Sequence, residues 1–188
     1  MTEDRFTDGN LIILYAIHNG SSSIIPEHII ERIKHCVQLY KIIVSSKPDG
    51  NRTIILVVSN SMYSDNIKKI LTDNDIAENV IATDTESTSV SQTIDNIKES
   101  IKNRSNPPYI YFIGSVWLKD VFDSIVITKL KGYKVRFEGA LDHRPVLEVE
   151  QEKLIEVPKK GKEYLKQTLK NKALDMLLNY IFPEDKKL

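Results

Sequence analysis

The chain has 188 residues, of which 41% are hydrophobic and 28% charged, a balance typical of one folded domain with a sizeable core. It holds 26 basic and 26 acidic residues, so it has no overall positive field to attract nucleic acid or an anionic membrane. Its single cysteine, Cys36, excludes an internal disulfide and any metal site built from several cysteines. These numbers favour an α/β protein of a reducing compartment and exclude a disordered or collagen-like chain.

Five short apolar runs alternate with amphipathic stretches. The runs predict buried strands because they are nearly continuous and rich in β-branched residues, and they lie at 11–17, 53–58, 79–83, 109–113 and 133–137. Apolar residues at helical spacing predict helices between them, at about 26–45, 63–71, 89–104 and 117–132. The fifth strand alternates in polarity like an edge strand. The alternation predicts a Rossmann-like three-layer sandwich, with a mostly parallel five-stranded sheet and helices on both faces.

The alternation of apolar runs and amphipathic stretches ends after Gly139. Residues 146–149 and 154–157 are predicted as short extended segments, and 161–182 as a long amphipathic helix. We expect that helix to pack on the sheet or on a second copy of the chain, so a homodimer through the C-terminal helix is one candidate assembly. The predicted organisation is a polar tail over 1–10, a Rossmann-like core over 11–139 and an extension over 140–188 within the same domain.

The chain has no segment that suggests export or membrane insertion. The first ten residues are polar and acidic, unlike a signal peptide. The longest apolar runs, 11–17 and 54–58, are far shorter than the roughly 20 residues that span a bilayer. We therefore expect a cytoplasmic protein without a membrane span.

Familiar signatures of catalysis and phosphate binding do not occur in the sequence. The loop at 18–23 has one glycine rather than the three of a G-x-G-x-x-G dinucleotide loop, and neither G-x-x-x-x-G-K-[ST] nor G-x-S-x-G is found. The four histidines form no H-E-x-x-H zinc motif. The sequence therefore predicts no metal site, and it identifies neither a cofactor nor a catalytic residue.

Polar segments follow the first four predicted strands, at the edge of a doubly wound sheet where ligands bind. Such residues leave backbone N–H groups at helix N-termini available to a phosphate or carboxylate. The same residue types are ordinary helix caps, so both interpretations stay open. The ligand-binding candidates in these loops are His18, Asn19, Ser21, Ser59, Asn60, Ser61, Glu86, Gly114 and Ser115.

Part of this pattern resembles a known family. The residues that carry the resemblance are, in chain order, Arg32, Cys36 and Leu39-Tyr40 on the first helix, the strand that ends at Ser59, and Glu86, Ser89, Thr93 and Asn96 at the start of a later helix. Over 11–135 this order resembles the SanA/ElyC/YdcF-like family, also known as domain of unknown function 218. The resemblance implies a Rossmann-like fold and an ill-defined activity, often linked to the cell envelope. It adds Thr93 and Asn96, with Glu86, as ligand-binding candidates.

The chain departs from the family pattern in two places. Ser59-Asn60-Ser61 stands where the family has Ser-Gly-Gly, which removes two flexible backbone positions. The segment 115–120, after the fourth strand, contains neither the histidine nor the arginine usual there in the family. These differences favour a scaffold that has lost or changed the family's activity. Thr93 and Asn96 could equally tie their loop to the helix through side-chain-to-backbone bonds.

Three other features have a functional and a structural interpretation. Asp142-His143-Arg144 follows the fifth strand, so the acid could orient the histidine for proton transfer, but a surface turn is the favoured interpretation. Trp117 could line the mouth of a site, although a core or rim contact is more typical of its position. Cys36 falls on the apolar face of the first helix, which predicts a buried and unreactive thiol.

Two functions are compatible with the sequence. The first is binding of a small polar or phosphate-bearing ligand, such as a nucleotide, S-adenosylmethionine or a sugar phosphate, at the carboxyl ends of the strands. The second is a degenerate, non-catalytic binding or interaction module that keeps only the scaffold. Whether the protein is an enzyme stays open. The neutral charge and the lack of an aromatic-basic motif disfavour nucleic acid as a partner.

Strand order decides which loops face each other across the crevice. With the order 3-2-1-4-5, the loop at 114–119 faces the loop after the first strand; with 2-1-3-4-5, the loop at 84–92 does. We favour 3-2-1-4-5, the common order of Rossmann-like chains, and expect Glu86 and Asn96 to face the crevice.

Overall fold

The computed structural model describes residues 9–18, 23–46 and 52–156. The strands in these ranges are β1 (Asn10–Ala16), β2 (Thr53–Ser59), β3 (Ile81–Asp84), β4 (Tyr109–Ser115) and β5 (Val135–Ala140). The helices are α1 (Glu27–Ser46), α2 (Ser61–Asp73), α3 (Val90–Ile101), α4 (Lys119–Lys129) and α5 (Val146–Glu156). Single turns of 3-10 helix at Glu78–Val80 and Val116–Leu118 precede β3 and α4. The helix predicted over 161–182 lies outside the described residues.

The five strands form one parallel sheet in the order β3-β2-β1-β4-β5. Side chains alternate between its faces: Ile12 and Leu14 pack with α1 and α2, whereas Leu11 and Ile13 pack with α3 and α4. β1 is therefore buried on both faces, which explains why its sequence is continuously apolar. The Rossmann-like three-layer sandwich, the favoured strand order and the edge position of β5 are all confirmed.

The order β3-β2-β1-β4-β5 creates a gap between β1 and β4. β1 remains paired with β2 as far as Ala16, opposite Ser59. Its pairing with β4 ends two residues earlier, at Leu14 opposite Ile113. The chain winds in opposite directions from these two strands, so their carboxyl ends separate and leave a crevice there.

The chain divides into a unit that ends at Arg144 and a second unit that begins at Pro145. In the second unit, the prediction of extended segments at 146–149 and 154–157 is wrong, because α5 occupies 146–156. The Pro145 carbonyl accepts hydrogen bonds from the amides of Glu148 and Val149, at 3.0 and 3.3 Å, and so begins the helix. Across 9–18, 23–46 and 52–156, no helix has the length and apolarity needed to cross a bilayer.

The predicted burial of Cys36 is confirmed, since its side chain has no exposed surface. Burial also raises the pKa of the thiol, which keeps it protonated at neutral pH. We expect a thiol reagent to label the native protein at least ~100-fold more slowly than the urea-unfolded chain, because only the exposed thiolate reacts. Absorbance of the released chromophore measures both rates, and labelling of the native protein as fast as the unfolded chain would contradict the assignment.

Candidate functional site

Arg32 fills the gap between the separated ends of β1 and β4. It lies on α1 and has no exposed surface. One guanidinium nitrogen, Nη1, donates to the Tyr15 carbonyl of β1 at 2.9 Å. Nε and Nη2 both donate to Ser115 Oγ of β4, at 3.1 and 2.7 Å. Arg32 thus joins the two strands just beyond the last residues that pair directly.

Asp142, two residues after β5, accepts hydrogen bonds from the polar side chains near Arg32. Its Oδ2 accepts a hydrogen bond from Ser115 Oγ at 2.7 Å and from Trp117 Nε1 at 3.1 Å. Arg144 binds both carboxylate oxygens, with Nε 2.9 Å from Oδ1 and Nη2 2.6 Å from Oδ2. Burial alone would raise the pKa of Asp142, but the hydrogen bonds from Arg144 and Ser115 outweigh it and hold the pKa well below its usual range. Asp142 is therefore a buried carboxylate.

A pair of imidazoles lies beside this network. His28 is one turn before Arg32 on α1, and its ring is 5.2 Å from that of His18, edge to face. Only 4% of His28 is exposed, and within 9–18, 23–46 and 52–156 its Nε2 has no hydrogen-bond partner. Burial, together with the positive charges of Arg32 and Arg144, lowers the pKa of His28 to about 3. At neutral pH His28 is an uncharged imidazole with an unused polar atom, in positive surroundings.

These groups, which we call the arginine cluster (His18, His28, Arg32, Ser115, Trp117, Asp142 and Arg144), suit anion binding. The N-terminus of the 20-residue helix α1 adds its partial positive charge one residue before His28. Ser115 is poorly placed as a nucleophile, because its oxygen accepts two bonds from Arg32 and its proton goes to Asp142. Asp142 is too acidic for a useful general base. In the described ranges, His, Cys, Asp and Glu side chains nowhere gather in the threes that a metal site needs.

The structure brings only some of the predicted loop residues to the cluster. His18 and Ser115 belong to it, and Asn60 is adjacent, since its Oδ1 accepts a bond from the His18 amide at 3.2 Å. Ser59 is buried and its Oγ has no hydrogen-bond partner in the part of the chain that the structure describes, whereas Ser61 is exposed at the start of α2. Asn19 and Ser21 lie outside the described residues.

Gly114 has a packing role. A Cβ at this position would lie 2.9 Å from Leu118 Cδ2, so a larger residue would have to displace the buried Leu118 side chain. Gly114 therefore leaves space for Leu118.

The residues suggested by the family resemblance hold the loop between β3 and α3 together. The Asp84 carboxylate accepts bonds from the amides of Glu86 and Ser87, at 3.0 and 2.9 Å. Asn96 Nδ2 donates to Ser87 Oγ at 3.0 Å, and Thr93 Oγ1 donates to the Ser89 carbonyl at 3.0 Å. Thr93 makes the side-chain-to-backbone bond of the structural interpretation, whereas Asn96 ties the loop to the helix through the side chain of Ser87.

Glu86 and Asn96 also line a cavity of about 610 Å³ beside β3. Apolar side chains from the sheet and α3, including Leu56 and Ile97, form part of its wall. Its described lining includes Leu11 near the start of β1 but no residue of the arginine cluster, so this cavity is distinct from the gap between the carboxyl ends of β1 and β4. The structure thus separates two groups of residues that the sequence analysis had assigned to one crevice.

Of the seven members of the arginine cluster, only His18 and Ser115 were among the ligand-binding candidates predicted from the sequence. His28 was not a candidate, and Arg32 entered only through the family resemblance. The favoured interpretation of 142–144 as a surface turn is wrong for Asp142, whose side chain is 4% exposed, and Asp142 binds Arg144 rather than orienting the exposed His143. The available signal was the position of Asp142 and Arg144 directly after a strand, at the ligand-binding edge of the sheet.

Fold and site together define a Rossmann-like α/β protein with a buried arginine cluster where the winding of the sheet reverses. No protein-family model, curated protein or solved structure matches the chain. Its resemblance to the SanA/ElyC/YdcF-like family stays a prediction.

Proposed function

We propose that the protein binds a small phosphate-bearing metabolite at the arginine cluster. The observation that carries the proposal is His28, a buried imidazole whose Nε2 meets no hydrogen-bond partner among the described residues and lies in the positive surroundings of two arginines. An unpartnered polar atom in a protein interior costs free energy unless a ligand or an ordered water satisfies it. A phosphate oxygen offers an acceptor for an imidazole N–H and a negative charge for the guanidinium groups.

Each part of the cluster has a separate role in this proposal. Arg144, whose side chain is 13% exposed, is the cation that reaches the ligand, and Asp142 holds it in place through two hydrogen bonds. Arg32 is fully buried, joins β1 to β4 and adds positive charge behind Arg144. The charge favours a nucleotide or a sugar phosphate over S-adenosylmethionine, whose sulfonium is cationic.

The alternative is a degenerate, non-catalytic binding or interaction module that keeps the scaffold only. It is favoured by the hydrogen bonds of Ser115, which leave no activated nucleophile at the cluster. A divergent membership of the SanA/ElyC/YdcF-like family is also proposed, and it would instead direct attention to Glu86 and Asn96 and to the cavity beside β3.

Thermal unfolding in the presence of ligands tests the proposal. The panel is inorganic phosphate, AMP, ADP, glucose 6-phosphate and S-adenosylmethionine. A ligand present at 100 times its Kd adds about 2.7 kcal/mol to the free energy of unfolding, so a true ligand should raise Tm by about 5–10 °C. If no phosphate compound raises Tm at millimolar concentration, the non-catalytic module becomes the better account.

Two variants then locate the site. Arg144→Gln should weaken binding of the best ligand at least ~10-fold in calorimetry, because it removes a charge-assisted hydrogen bond. The matched control, Glu86→Gln with Asn96→Ala, should bind as the wild type does, since these residues line the other cavity. Loss of affinity in the control, with Arg144→Gln unaffected, would move the ligand to the cavity beside β3.

A further inference from the structure

The outer edge of β5 is a row of backbone groups that can still form hydrogen bonds. Among the described residues β5 pairs with β4 alone. The amide of Ile110 donates to the Lys134 carbonyl at 2.9 Å, which sets the phase of this parallel ladder. The backbone groups of the even-numbered residues of β5 therefore bond to β4. The N–H and C=O groups of Val135, Phe137 and Gly139 lie in the plane of the sheet and point away from β4. Such an edge is a template for another strand.

The charged side chains on this edge can pair with those on the same edge of a second copy of the chain. Arg136 and Glu138 are two residues apart and share a face of β5, with Arg136 Nε 2.6 Å from Glu138 Oε1. If a second copy of β5 pairs antiparallel about a two-fold axis at Phe137, Arg136 of each chain lies opposite Glu138 of the other. These positions are non-hydrogen-bonded pairs, in which facing side chains approach most closely.

Other registers lack this match. An axis at Arg136 would set two arginines opposite each other, and an axis at Glu138 would oppose two glutamates. An axis at Val135 would bring Lys134 against Arg136. Like charges directly opposite each other destabilise a strand pair, so the sequence around Phe137 selects one register.

Exposed apolar side chains border the same edge. Ile42, on α1, is 62% exposed and lines a cavity of about 350 Å³ together with Arg136 and Glu138. Val116 is 54% exposed and lies against Gly139, and Leu141, 61% exposed, directly follows the strand. The opposite edge strand, β3, has only four residues, which limits the pairing it can offer.

We propose that the protein forms a two-fold symmetric homodimer in which the β5 strands of two copies pair antiparallel about Phe137. The two sheets then continue into one, and the apolar side chains beside β5 gain a partner surface. The proposal does not depend on the ligand site, which involves different side chains.

Two charge-reversal variants of the full chain, measured separately and as a mixture, test the dimer. Sedimentation equilibrium should give the wild type twice the 21.5 kDa mass of one chain. Arg136→Glu and Glu138→Lys should each raise the dimer dissociation constant at least ~10-fold, because each variant places like charges opposite one another twice. An equimolar mixture of the two variants should dimerise again, since every facing pair is then of opposite charge.

The mixture distinguishes a contact between two chains from the contact of Arg136 with Glu138 inside one chain. Loss of the contact between Arg136 and Glu138 inside a chain cannot be restored by a second chain. A wild type that stays monomeric at ~0.5 mM overturns the proposal, as does a dimer that both single variants retain, which would point to another interface such as the C-terminal helix. Thermal melting checks that each variant is folded, and Lys119→Glu, an exposed charge reversal on α4, should leave the mass unchanged.

Discussion

Replacing Asp142 by asparagine should lower the free energy of unfolding by about 3 kcal/mol and Tm by about 6–12 °C. Asparagine has the same size, but it removes the charge that faces Arg144 and one of the two oxygens that accept hydrogen bonds from Ser115, Trp117 and Arg144. Because the Asp142 side chain is 4% exposed, water cannot replace what is lost. Urea unfolding at pH 7 measures the change.

The matched control is Asp123→Asn on α4. Asp123 pairs with Lys119, but both side chains are about half exposed, and such surface pairs contribute less than about 1 kcal/mol. The difference between Asp142→Asn and wild type should also depend on pH. The folded pKa of Asp142 lies below its ordinary value of 3.8, so its contribution is complete above about pH 4 and is lost as the pH falls further. Equal effects of the two substitutions at pH 7 would show that the cluster adds no stability.

His28 should make the protein less stable in mild acid. Its folded pKa is lowered from 6.5 to about 3, so below pH 6.5 the unfolded chain binds a proton that the folded chain does not. Stability therefore falls as the pH drops from 6.5 towards 3, by about 3 kcal/mol between pH 7 and pH 4. His28→Gln cannot titrate, so its stability should fall by about 3 kcal/mol less than that of the wild type over this interval.

The matched control is His143→Gln, which removes an exposed histidine from between Asp142 and Arg144. A bound anion should favour the protonated imidazole and reduce the acid sensitivity of the wild type. Urea titrations at pH 7 and pH 4, each with and without phosphate, measure both effects. If His28→Gln loses as much stability as the wild type between these pH values, His28 is not held uncharged in the folded protein.

The sequence predicted the sheet accurately because a strand buried on two faces must be apolar throughout. β1, β2 and β4 were placed within one or two residues for this reason. β5 was predicted to begin two residues and to end three residues too early, because on an edge strand apolar residues alternate with exposed ones such as Arg136. α5 was missed because its first turn begins with backbone hydrogen bonds to the Pro145 carbonyl. Such bonds leave no pattern of apolar residues in the sequence.

For the ligand site, local pattern and tertiary structure carried different information. The apolar periodicity of this chain determined by itself a parallel sheet between two helical layers, since burial of each face requires a repeat that can be read from neighbouring residues. Only the tertiary structure decided that Arg32, Ser115 and Asp142 form one network, because they come from three separate elements and meet only where β1 and β4 part. The same contacts give Asp142 and His28 their lowered pKa values. Burial and charge at a point depend on everything packed around it, and no stretch of sequence contains that information.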